Sequence, residues 1–76
     1  MSRRAINTPD APAALGPYSQ AIRAGDFIFC SGQIPIDPET GAISGEDVGT
    51  QTERAIKNLR AVLLAAEADL EDVVKT

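Results

Sequence analysis

The period of the apolar positions changes along this chain, and the change separates its elements. Residues 18–24, YSQAIRA, alternate: Tyr18, Gln20 and Ile22 fall on one side, and Ser19, Ala21 and Arg23 on the other. A period of two predicts a strand. Ala24-Gly25-Asp26 is a turn signal, with glycine free to take the positive φ that tight hairpins use. Residues 27–36, FIFCSGQIPI, resume the strand pattern, and Phe27 to Cys30 are apolar without interruption. An unbroken run predicts cover on both faces. The two runs together read as a β-hairpin. RRAINT, residues 3–8, predicts another short strand. The segment between, PDAPAALGP at 9–17, holds three prolines in nine residues and reads as an extended loop. DPETG at 37–41 is a second turn, in which Pro38 sets φ and Gly41 closes the reversal.

After that turn the spacing becomes helical. Val48, Thr52, Ala55, Ile56, Leu59, Val62, Leu63 and Ala66 form one broad apolar stripe. Ser44 and Asp47 have the S-x-x-D spacing of a capping box, and Glu46 and Asp47 suit the positive end of the helix dipole. Arg54, Lys57 and Arg60 take much of the opposite side, where Glu53 can pair with Lys57 four residues on. The stripe is expected to pack on the apolar face of the hairpin. LEDVVKT at 70–76 begins like another strand, with β-branched Val73 and Val74. The expectation is an α+β fold in a single domain over 1–76: a β-hairpin, one long helix and the start of a further strand. No repeat, low-complexity segment or linker divides it. A hairpin and a strand stub are thin cover for so wide a stripe, so an open sheet edge and a bare helix face are also expected.

Length sharpens that point. A domain of this size buries only about 60% of the surface its unfolded chain exposes and needs support. Cys30 is the only cysteine, so a disulfide within the chain is excluded. There is no histidine, and one thiol with scattered carboxylates is not a metal-ligand set. Self-association is the remaining support. A net charge of −4 argues against a nucleic-acid partner, which needs a basic face. The chain carries no apolar stretch of membrane-spanning length and no signal-peptide run, so a membrane is not expected. With a free cysteine, this predicts a cytoplasmic setting.

The common catalytic sets fail by inventory. Without histidine there is no Ser-His-Asp or Cys-His arrangement. The glycines have the wrong spacing for a phosphate loop. Asp69, Glu71 and Asp72 read as a solvated connector. Cys30 follows three large apolar residues and reads as a small buried hydrophobe. Two features remain open. At Ser31-Gly32 an apolar strand becomes small and polar, which fits either a strand end with a bulge or the close approach of a ligand. In GPYSQAI, residues 16–22, Tyr18 fits either an edge aromatic or a group placed for chemistry.

Taken together, GPYSQAI, FCSGQIPIDPETG and QTERAIKNLRAVLLAAEADLEDVVKT resemble the N-terminal portion of the RidA (YjgF-type) family, collinearly over nearly the whole chain. The resemblance implies a chorismate-mutase-like mixed sheet packed on helices. It implies a homotrimer whose sheets form a central barrel, with sites in clefts between subunits. It further implies a deaminase that hydrolyses reactive enamines and imines (2-aminoacrylate, 2-iminopropanoate, 2-iminobutanoate) to 2-keto acids and ammonia, without a cofactor. Tyr18, Ser31 and Gly32 match the substrate-pocket positions of the family. The arginine that grips the substrate carboxylate and the late glutamate linked to water activation match no residue of 1–76. The catalytic residues therefore stay unassigned, and turnover is not expected of these residues by themselves. The alternative is a non-catalytic fragment or a diverged module that binds small carboxylates or protein. One departure stands out: Glu67 occupies a position after the helix where the family usually has glycine.

Overall fold

The structure, a computed structural model, describes residues 3–13 and 18–76. Three short strands form one antiparallel sheet in sequence order: β1 (Arg3–Ile6), β2 (Ala21–Ala24) and β3 (Phe27–Cys30). In β2 and β3, Ala21 pairs with Cys30 and Ala24 with Phe27, and Ile6 of β1 pairs with Ala21. Gly25 turns the hairpin with φ of 60°. The expected hairpin and the additional strand are therefore both present. Gly16 and Pro17, with the rest of 14–17, lie outside the described residues.

One helix, α1 (Val48–Ala65), crosses the sheet. Ile6, Ala11, Ala21, Val62 and Ala66 form the buried cluster, with Ile28, Cys30 and Ala61 packed against it. Only the C-terminal half of the apolar stripe is covered: Val62 and Ala66 are fully buried, whereas Ile56 and Val48 are exposed. The cause is lever arm. The strands are four residues long, and an 18-residue helix at 1.5 Å per residue outruns them.

Several local expectations are corrected. Asp47, not Ser44, is the N-cap of α1; its carboxylate accepts from the Thr50 backbone N–H at 2.6 Å. A true capping box does occur, but at Asp69 and Asp72 around a 3₁₀ turn, Leu70–Asp72. That turn takes the place of the beginning of the strand expected over 70–76. Val73 has extended backbone (φ −72°, ψ 128°), yet the segment pairs with no strand among the described residues. Phe27 and Phe29, expected to be covered on both faces, are each 62% exposed, while Ile28 and Cys30 between and beside them pack against the core. The two phenylalanine rings pair at a centroid distance of 6.3 Å.

Other expectations hold as written. The 37–41 turn closes through the Gly41 N–H to the Asp37 carbonyl at 2.8 Å, with Ile36 bridging Ile43 beyond it. Glu53 and Lys57 pair at 3.1 Å on the exposed side of α1. Glu67, the departure from the family's glycine, does not change the helix end: it is left-handed, with φ of 63°. It stands at the C′ position of a Schellman motif: Ala68 N–H donates to Leu63 carbonyl at 2.8 Å, and Glu67 N–H to Leu64 carbonyl at 3.0 Å.

Candidate functional site

The described chain brings its candidate residues to the end of the hairpin distant from Gly25. β3 ends at Cys30, and Ser31 N–H adds one last rung to the Gln20 carbonyl at 3.0 Å. The Ser31-Gly32 step thus lies just past the last paired residue rather than in a bulge inside the strand. A β-carbon built on Gly32 meets no atom within 4 Å. Nothing among the described residues requires glycine there, and the space is open to an approaching group.

Ser31 and Gly32 line an open trough of about 890 Å³ between β3 and α1. Ile56, Leu59 and Leu63 form much of its helix side. This is the uncovered apolar face anticipated from the width of the stripe. Cys30 also lines the trough, and partial burial raises its thiol above the ordinary cysteine range. A raised thiol is a poor nucleophile, which agrees with its reading as a small hydrophobe. Arg23 lines the trough too, but its Nη2 donates to the Ala66 carbonyl at 2.9 Å. That bond turns the guanidinium toward the helix C-terminus, where it satisfies a terminal carbonyl. Its Nε is buried and has no partner among the described residues.

Tyr18 fronts a different and smaller concavity, with Asn7, Thr8, Pro9, Ala13 and Gln20. Its side chain is 73% exposed. Within one chain, then, the aromatic wall and the Ser31-Gly32 wall are adjacent but face separate hollows. What joins them is a hydrogen bond: Ser31 Oγ donates to the Ser19 carbonyl at 2.7 Å. Ser19 is the residue directly after Tyr18. With its proton committed there, Ser31 Oγ keeps lone pairs free to accept from a bound water or an N–H.

Two buried amides beside this region escaped the sequence reading. Gln20 is 4% exposed and bonds to Thr8, Ala11 and Pro12. Asn58 is fully buried in α1 and donates through Nδ2 to the carbonyls of Ile34 and Ile36 at 3.0 and 2.8 Å. Its Oδ1 accepts from Arg54 Nε at 3.1 Å. Asn58 thereby fastens the segment that follows Ser31-Gly32 to the helix. A signal for it existed: Asn58 lies four residues before Val62 and three after Ala55, so it interrupts the apolar stripe with a polar group.

Comparison with known proteins places these features in a family. Residues 8–76 match the family described as Endoribonuclease L-PSP. A RutC family protein of Pyrococcus abyssi is 56% identical over 75 residues, which cover 99% of this chain and 59% of that protein. A 2-iminobutanoate/2-iminopropanoate deaminase of Salmonella typhimurium is 45% identical over 73 residues, covering 96% of this chain and 56% of that protein. The crystal structure of E. coli TdcF with bound serine superposes with a TM-score of 0.88 at 39% identity, over 93% of this chain and 55% of that one. The chain spans a little under three-fifths of these relatives.

Proposed function

Because the chain belongs to the Endoribonuclease L-PSP family, which is the RidA/YjgF family, we propose that the protein hydrolyses 2-imino acids and their enamine tautomers, such as 2-iminopropanoate, 2-iminobutanoate and 2-aminoacrylate, to 2-keto acids and ammonia. The observation that carries this reading is the likeness to the Salmonella protein named for that reaction. The chemistry needs no cofactor. Water adds its oxygen to the C=N carbon, the nitrogen takes up protons, and the C–N bond breaks to release ammonia.

The chain's residues fit parts of that task. A small planar imine needs a flat apolar wall, and Tyr18 offers its ring to solvent. The attacking water needs a fixed acceptor, and Ser31 Oγ has lone pairs free once its proton is bound to Ser19. The open space at Gly32 lets a substrate approach the backbone. Cleavage of RNA, which the family description names, fits less well: a net charge of −4 opposes the phosphate backbone. The grip on the substrate carboxylate and the activation of water are assigned, by family resemblance, to an arginine and a glutamate that match no residue of 1–76.

The protein acts as a homotrimer with sites between subunits in this proposal. Support comes from the exposed Phe27 and Phe29, and from the split between the Tyr18 hollow and the trough. No described helix is long and apolar enough to cross a membrane. A cytoplasmic setting, where PLP-dependent dehydratases would supply the imine, completes the reading.

Titration with 2-oxobutanoate, a stable product, tests the pocket. The proposal expects saturable NMR shifts at the Tyr18 ring and at the Ser31 and Gly32 amides. Shifts confined to other parts of the chain would contradict it.

A further inference from the structure

Gln20 is an unusual residue to bury, and its surroundings explain it. Its Oε1 accepts from the Thr8 N–H at 2.6 Å. Its Nε2 faces three carbonyls, those of Thr8 at 3.1 Å, Ala11 at 3.2 Å and Pro12 at 2.8 Å. Two N–H groups are shared among those three acceptors. The loop needs this. Pro9 and Pro12 have no N–H, so the stretch cannot enter a strand ladder, yet Ala11 is buried in the core and its carbonyl must find a donor. One glutamine side chain does what a neighbouring strand does elsewhere.

The same clamp controls the surroundings of Tyr18. Thr8 and Pro9 line the hollow that Tyr18 fronts, so fixing Thr8 fixes that side. Gln20 lies two residues after Tyr18, and the Ser19 carbonyl between them is held by Ser31. The ring itself is mostly in solvent. Its direction is therefore set by what its backbone and its hollow are tied to.

We infer that Gln20 is a positioning residue for Tyr18, clamping the 8–12 loop so that the ring holds the orientation the pocket needs. The inference rests on the reading of Tyr18 as a pocket residue, and it requires a glutamine. Asparagine is one methylene short, glutamate has no donors when ionised, and methionine has the length but no hydrogen bonds.

Tyr18 is the only tyrosine in the sequence and tryptophan is absent, so its emission reports this one ring. Tyr18→Phe supplies the blank for the full protein. In Gln20→Met with unchanged far-UV circular dichroism, the amplitude of fast Tyr18 depolarisation should rise about two-fold as the ring gains nanosecond freedom. Turnover should fall about 10- to 100-fold, through kcat more than KM, as expected for a misplaced group. If Gln20→Met fails to fold, Gln20→Glu decides. Its protonated form keeps one donor and its ionised form keeps none, so Tyr18 depolarisation should increase with pH in that variant and not in the wild type. In the wild type, the Thr8 amide should exchange with solvent at least about 100-fold more slowly than an open loop amide. A free Thr8 amide, or Tyr18 depolarisation unmoved in folded Gln20→Met, overturns the inference. Absence of turnover in the wild type would overturn the deaminase reading instead, and leaves Tyr18 depolarisation to judge this one.

Discussion

The Ser31 hydroxyl donates to the Ser19 carbonyl at 2.7 Å, and this bond couples the end of β3 to the residue beside Tyr18. It holds two segments 12 residues apart at the point where regular pairing stops. Ser31→Ala should lower stability by about 0.5–1.5 kcal/mol, the worth of one ordinary hydrogen bond. Chemical denaturation measures that loss. A drop well beyond it would mean that Ser31 supports more of the fold than this single contact.

Asn58 carries a larger share. Asn58→Leu keeps the volume but leaves the Ile34 and Ile36 carbonyls without their donor. Unpaired buried acceptors cost about 1–3 kcal/mol, so the expected loss in denaturant exceeds that of Ser31→Ala. The amides of 33–36 should also lose protection from hydrogen exchange before the strands do.

Glu67 offers the opposite change. A β-carbon in the left-handed region costs roughly 1–2 kcal/mol, and glycine relieves most of that. Glu67→Gly should raise stability by roughly 1 kcal/mol, a rise in Tm of about 4–8 °C for a domain of this size. An unchanged or lowered Tm would show that the Glu67 side chain supplies a compensating contact.

Acid should weaken the fold through two carboxylates. Asp69 is held below the ordinary value of 3.8 by hydrogen bonds from the Arg60 side chain and then from the Leu70 backbone. Asp47 is lowered chiefly by its bonds from Thr50. Because the folded values are depressed, the unfolded chain takes up protons first as pH falls. The stability from both groups is complete above the unfolded value and is lost as pH drops through the folded ones. Denaturation midpoints should fall as pH drops below about 5 and through the folded values, and the slope should flatten in Asp47→Asn combined with Asp69→Asn. Salt should reduce the Arg60–Asp69 part, an ion pair between two full charges, more than the Asp47 cap, which is a bond to a backbone N–H.

The elements were legible where one face decides them. Val62 and Ala66 on the helix are read directly from the 3.6 period, whereas the unbroken run Phe27–Cys30 hid which of its residues face the core: Ile28 and Cys30 pack there and Phe27 and Phe29 are exposed. At Glu67 the sequence showed only a departure from the family's glycine; the left-handed conformation is retained all the same. Capping was harder, because Ser44 and Asp47 are both acceptable caps and only the path of the loop selects Asp47. The 70–76 segment misled because β-branched residues favour a strand only when a partner strand is available. The site was legible as residue types but not as a place. Tyr18, Ser31 and Gly32 are named by motif, whereas the bonds that fasten the segments beside them come from Gln20 and Asn58. A polar side chain that serves a distant loop leaves no periodic trace.

The most direct test of the deaminase account follows 2-aminoacrylate, generated in place by a PLP-dependent dehydratase, with the full protein present or absent. The account predicts that the protein accelerates release of ammonia and 2-keto acid beyond the spontaneous rate. It also predicts that Tyr18→Ala lowers kcat/KM by about 10-fold or more, the loss of over 1.4 kcal/mol of transition-state binding. No acceleration, or acceleration that Tyr18→Ala and Ser31→Ala both leave untouched, would contradict it.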